Sequence, residues 1–87
     1  MTSPKVEVYS TTYCPFCRMA ERLLDGKGVA YAAYDVTDDH EKRQWLVEAT
    51  QQRTVPQIFI NDQSIGGFTE LRTLDQSGQL DKMLGLA

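Results

Sequence analysis

The sequence predicts an α/β fold: a four-stranded mixed sheet with flanking helices, in the order βαβαββα. Three observations predict it. Apolar residues alternate at period two from Val6 to Tyr9 and then recur at helical spacing from Phe16 to Leu24, so a strand passes into a helix. A second strand-then-helix pattern fills residues 29–53, and neighbouring strands joined through a helix run parallel. Further on, Asn61-Asp62 separates two short β-rich runs, which marks an antiparallel hairpin.

Each element has its own signal. The first strand, Val6-Glu7-Val8-Tyr9, ends in the polar turn Ser10-Thr11-Thr12. In the first helix Phe16, Met19, Ala20, Leu23 and Leu24 make the expected apolar stripe. Pro15 sits in the first turn, where its missing N–H is not needed, and Gly26 to Gly28 end the helix. Val29 to Val36, rich in Tyr, Val and Ala, reads as the second strand. Asp38 and Glu41 have capping-box spacing for a second helix through Trp45, Leu46 and Ala49, ending at Gln51-Gln52-Arg53. Thr54 to Ile60 is the third strand and Gln63 to Ile65 the fourth, closed by Gly66-Gly67. Thr69 is the expected cap of a third helix through Leu71 and Leu74, and after Ser77-Gly78 a short last helix carries Leu80, Met83 and Leu84.

Composition excludes several functions. Residues 1–87 read as a single domain, because a second would need about 50 more residues. Nine Lys and Arg against twelve Asp and Glu give a net charge of −3, which lacks the basic footprint of a nucleic-acid or anionic-lipid binder. The longest apolar run is six residues, Val29 to Tyr34, against the ~20 that span a bilayer. No membrane segment is expected. The start, MTSPKVEVYS, has no apolar core of signal-peptide length, so a reducing cytoplasmic location is expected.

In that compartment the two cysteines, Cys14 and Cys17, are better explained by chemistry than by architecture, since a bridge across two residues closes almost no loop. Cys14-Pro15-Phe16-Cys17 falls at a strand-to-helix junction, where unpaired N–H groups and the helix dipole favour an anion. A thiolate is such an anion, and lowering the thiol pKa from its free value of about 8.5 supplies more nucleophile at neutral pH. Cys14 is the expected attacking thiol. Cys17, three residues on, is placed to resolve a mixed disulfide formed on it. Two other readings stand beside this one. The pair is half of a zinc site, but a closed site needs four ligands and His40 is the only histidine left to contribute, so no metal is expected. Alternatively both cysteines are buried structural residues, against which the polar approach Thr11-Thr12-Tyr13 argues for exposure. A Cys-X-X-Cys pair in a βαβ frame points to thioredoxin-like redox proteins.

Two further motifs narrow the choice. Pro56, in Thr54-Val55-Pro56, removes a ladder donor at the start of an apolar strand. Gly66-Gly67 ahead of Thr69-Glu70 offers a closely approachable backbone and then a helix start. With Cys14-Pro15-Phe16-Cys17, Thr54-Val55-Pro56-Gln57-Ile58-Phe59-Ile60 and Ile65-Gly66-Gly67 at these separations, the chain closely resembles a dithiol glutaredoxin of the small bacterial kind, from Val6 to Leu84.

The resemblance implies a thioredoxin-like fold, glutathione as the reducing co-substrate, and reduction of protein disulfides and protein–glutathione mixed disulfides, with ribonucleotide reductase among the candidate targets. A monomer is expected. It implies a cis Pro56 facing the cysteines, which leaves the backbone of Val55 free to pair with the cysteinyl part of glutathione. Thr54 and Val55 then flank the tripeptide, while Gly67, Thr69 and Glu70 meet its γ-glutamyl end. Arg43, eleven residues before Thr54, matches the position that receives the glycine carboxylate, although a solvated helix face would look the same. Tyr13 is expected to line the groove. Many relatives carry a lysine where this chain has Thr11, so the helix terminus and Arg18 are expected to stabilise the thiolate instead. Phe68 replaces a cysteine found in some relatives, and Thr69-Glu70 replaces a pair often acidic at both positions. The rival activities are a redoxin reduced by thioredoxin reductase and an iron–sulfur cluster scaffold; Pro15 weighs against the second, since cluster-binding relatives usually have a smaller residue there.

Overall fold

A computed structural model of the chain describes residues 4–86. The ends of the 1–87 span lie outside the described residues. The elements are β1 (Val6–Ser10), α1 (Pro15–Gly26), β2 (Ala32–Asp35), α2 (His40–Thr50), β3 (Gln57–Ile60), β4 (Gln63–Gly66), α3 (Phe68–Gln76) and α4 (Gln79–Leu84). They form one sheet in the order β2-β1-β3-β4. β1 pairs parallel with β2, Val8 opposite Ala33, and antiparallel with β3, Val8 opposite Ile58. The sheet is therefore mixed, with β4 antiparallel at the far edge.

Strand alternation divides the core into two layers. Val6 and Val8 of β1 and Ile58 and Ile60 of β3 meet Ala20 and Leu24 of α1, Leu71 of α3 and Leu80 and Leu84 of α4. On the other face Tyr9 and Phe59 meet Val36, just after β2, and Leu46 of α2. Both faces of β3 are covered, which is why its four residues are all buried, and each such aliphatic side chain contributes about 1.5–3 kcal/mol. Among the described residues no helix is long and apolar enough to cross a membrane.

The hairpin turn is the one expected, built without glycine. Asn61 and Asp62 have φ of 51° and 67°, positive at both central positions, as a type I′ turn needs. Lys5 secures it: its N–H donates to the Asn61 side chain at 3.0 Å, its carbonyl accepts from Asn61 N–H at 2.8 Å, and its ammonium meets Asp62 at 2.8 Å.

Several boundaries and caps differ from expectation. β2 begins at Ala32 rather than Val29, because only from there does it pair with β1, and as an edge strand its residues are exposed. β3 begins at Gln57 rather than Thr54, since Pro56 has no N–H for the ladder. The cap of α2 is Asp39, whose carboxylate accepts from Lys42 N–H at 3.0 Å; Asp38 lies in the turn before it, not at the cap. The cap of α3 is Gly67, which puts Thr69 inside the first turn. The buried stripe of α1 is Cys17, Ala20 and Leu24, so Phe16 and Met19 turn outward. The i, i+3, i+7 spacing from Cys17 competes with the one from Phe16, and it prevails because Cys17 faces the sheet.

Candidate active site

β1 delivers the chain to the cysteine pair through Thr11, Thr12 and Tyr13. The polar approach is not uniformly exposed: Thr11 is buried, and only Thr12 and Tyr13, the latter 71% exposed, reach solvent. Thr12 N–H donates to Thr37 Oγ1 at 3.0 Å, and Thr37 in turn donates to Asp35 from its hydroxyl at 2.5 Å and its N–H at 2.9 Å. The Thr37 hydroxyl and then its N–H hold the Asp35 carboxyl below the usual carboxylate range. The loop before the cysteines is thus tied to the turn after β2.

Cys14 is the N-cap of α1, extended at φ −106° and ψ 104°, and Pro15 follows at the first helical position. Its sulfur takes the place of a capping oxygen, accepting from Cys17 N–H at 3.1 Å. No acidic residue occupies the first turn to offset the helix field. The two sulfurs are joined as a disulfide, with Cα atoms 5.2 Å apart. Cys14 is 9% exposed and Cys17 fully buried, so an incoming sulfur meets Cys14 first.

Across from Cys14 lies the segment before β3. The Val55–Pro56 bond is cis, and the Val55 carbonyl oxygen stands 3.6 Å from Cys14 Sγ. Thr54, Val55 and Pro56 line a shallow cavity of about 220 Å³ with Gly67, Thr69 and Glu70. Gly67 belongs there for a steric reason: a Cβ on it would come 3.3 Å from the Pro56 carbonyl oxygen. Gly66, at φ 110°, adopts a backbone that side chains disfavour. Glu70 is turned back, accepting from Gly67 N–H at 3.3 Å. Thr54 and Val55 also line a second cavity of about 280 Å³, which holds Arg43, His40 and Arg53 and no acidic residue. The two cavities adjoin at Thr54 and Val55, which they share, so the groove beside Cys14 has cations on one side and the α3 N-terminus on the other.

The structure thus brings together Cys14, Cys17, Thr54, Val55, Pro56, Gly67, Thr69 and Glu70, with Arg43 in the adjoining pocket and Tyr13 exposed beside Cys14. Arg18 differs. Its guanidinium pairs with Glu21 at 2.7 Å and reaches Ser10 Oγ and the Thr11 carbonyl at 3.4 and 3.5 Å. Its charge is thus engaged by a carboxylate and by the loop that leads to Cys14. Sequence reasoning missed Phe16, 57% exposed, and Phe68, whose rings lie 6.4 Å apart at the mouth of the groove. The competing spacing of Cys17, Ala20 and Leu24 was the signal available for Phe16, since a helix that buries that set turns the adjacent position elsewhere. Arg53 and His40 were missed as well, and nothing in their spacing marks them. Among the described residues no three His, Cys, Asp or Glu side chains converge to hold a metal ion.

A dithiol of this geometry can accept electrons as a disulfide or donate them as thiols. The protein-family model described as Glutaredoxin matches residues 6–65. The chain belongs to the glutaredoxin family. Glutaredoxin 3 of Escherichia coli (strain K12) is 40% identical over 79 residues, covering 91% of this chain and 95% of that one. Among solved structures, a buckwheat glutaredoxin–glutathione complex aligns with a TM-score of 0.88 at 30% identity, covering 94% of this chain and 77% of its own. The dithiolic glutaredoxin 2-C-Grx1 of Trypanosoma brucei brucei aligns with a TM-score of 0.86 at 37% identity, covering 92% and 86%. Glutaredoxins are thiol–disulfide oxidoreductases, and this chain has their thioredoxin-like fold and activity.

Proposed function

We propose that this glutaredoxin reduces protein–glutathione mixed disulfides and protein disulfides with electrons from glutathione, Cys14 attacking and Cys17 resolving. The observation that carries this is the position of Cys14: its sulfur caps α1, is the more exposed of the two, and faces the Val55 backbone across the groove. The Cys14 thiolate attacks the glutathione sulfur of a glutathionylated protein, the protein thiolate leaves and takes up a proton, and glutathione remains on Cys14. A second glutathione thiolate attacks that glutathione sulfur, releasing glutathione disulfide and the Cys14 thiolate. With a protein disulfide, Cys14 first tethers the target. Cys17 then attacks Cys14 Sγ, freeing the target as a dithiol and leaving the Cys14–Cys17 disulfide for two glutathiones to reduce.

Charge along the groove suits the tripeptide. Arg43 receives the glycine carboxylate, the Val55 backbone the cysteinyl unit, and Thr54 flanks it. Gly67, Thr69 and the α3 N-terminus meet the γ-glutamyl carboxylate, with Glu70 near its ammonium and Tyr13 beside Cys14. The chain acts as a monomeric single domain in the cytoplasm, on targets such as ribonucleotide reductase. Turnover of a glutathionylated peptide with glutathione and glutathione reductase, run beside an assay with thioredoxin reductase, tests the reading. Activity with thioredoxin reductase alone would overturn it.

A further inference from the structure

β3 sits in the middle of the sheet and is buried on both faces, yet its first residue is Gln57, with no exposed surface. A buried carboxamide is unfavourable unless its polar atoms find partners. The partners of Gln57 all lie in the segment before the cis proline. Nε2 donates to the Thr54 carbonyl at 2.8 Å, to Gln52 Oε1 at 3.0 Å and, at longer range, to Thr54 Oγ1 at 3.4 Å. Its Oε1 has no partner among the described residues. The amide is thus aimed at one strip of chain and is left unsatisfied elsewhere.

Elsewhere that strip is held by Gln52 N–H, which donates to Thr50 Oγ1 at 3.2 Å, and by Val55, which packs against the second core layer; the Thr54 carbonyl between them is held by Gln57. Sheet pairing begins only at Gln57, opposite Tyr9, and Pro56 has no N–H to donate. Gln52, Arg53 and Thr54 are exposed. An exposed irregular segment opens locally with little cost unless side chains pin it to the core.

We propose that Gln57 is a positioning residue for the glutathione groove. It reaches out of the sheet beneath Thr54 and holds the Thr54–Val55 backbone at the height where it meets the tripeptide. It touches neither sulfur and leaves the thiol chemistry to α1. This rests on Thr54 and Val55 facing glutathione.

Gln57→Met keeps the side-chain length and removes both donors. In the intact chain, with a glutathionylated peptide as probe, it should raise KM about 2- to 10-fold, the order expected for losing a hydrogen bond. The maximal rate and the pH profile of Cys14 alkylation should stay as in the native protein. Merely loosening the fold would change all three together. Gln52→Ala takes one partner from Gln57 while leaving the core filled, and should raise KM in the same direction by a smaller factor; it decides alone if Gln57→Met does not fold. Native KM in the folded variants would overturn the proposal, as would loss of maximal rate with KM unchanged. A native protein inactive with glutathione would instead sink the glutathione reading itself.

Discussion

The backbone N–H of Cys17 donates to the sulfur of Cys14 across 3.1 Å. This bond exists because Cys14 occupies the N-cap and Cys17 the third position of the helix, the pair of sites that a serine or aspartate cap joins through oxygen. A donor aimed at sulfur favours the thiolate over the thiol, and it adds to the field of the helix N-terminus.

In the reduced protein Cys14 should therefore alkylate faster than Cys17 at neutral pH, with a midpoint below that of free cysteine. Arg18→Ala should leave this midpoint in place, because the Arg18 guanidinium is paired with Glu21. Iodoacetamide labelling against pH, read by mass spectrometry, measures both. A clear rise in the Arg18→Ala midpoint would return that residue to the thiolate.

The two cysteines should separate by substrate. Cys17→Ser should keep removal of glutathione from a glutathionylated peptide, since a second glutathione can release what Cys14 holds. It should lose most reduction of a protein disulfide, where a neighbouring thiol acts at high effective concentration. Cys14→Ser should lose both. Equal inactivity of the two variants on the glutathionylated peptide, with circular dichroism unchanged, would refute these roles.

Arg43→Ala should weaken glutathione binding only modestly, because ion pairs open to solvent are worth about 0.2–1 kcal/mol. The loss should shrink as salt is added. The glutathione KM of native and variant proteins at low and high ionic strength provides the check, and a salt-independent difference would point to packing rather than charge.

Asp35 should shape the acid limb of stability. Its folded-state pKa is depressed by the Thr37 hydrogen bonds, so the charged form favours folding above the unfolded value. That contribution is lost as pH falls through the lower folded value. Asp35→Asn should accordingly melt below the native protein near neutral pH, and the two should converge at strongly acid pH. Parallel melting curves of Tm against pH would contradict this.

The order of elements was legible because its signals are local. Period two in Val6 to Tyr9, the helical spacing through Ala20 and Leu24, the turn residues Asn61-Asp62 and the break at Ser77-Gly78 each act over a few residues. The cysteine pair and Thr54-Val55-Pro56 were legible as motifs, as was the family they resemble. What remained hidden depends on partners distant in sequence. Val55 meets Cys14 across a sequence separation of 41, through the antiparallel pairing of β1 with β3. Asp39 rather than Asp38 caps α2 because the turn through Thr37 and Asp35 uses the residues before it. Arg18 has Glu21 three residues on, and the structure pairs the two. Gln57 reads as an ordinary polar residue until β3 becomes a central strand covered on both faces. Only then must its carboxamide find Thr54 and Gln52. Local periodicity determines which elements form, since it reflects the geometry of one helix or strand. Tertiary packing decides which side chains are removed from water, and burial compels polar groups to choose their partners.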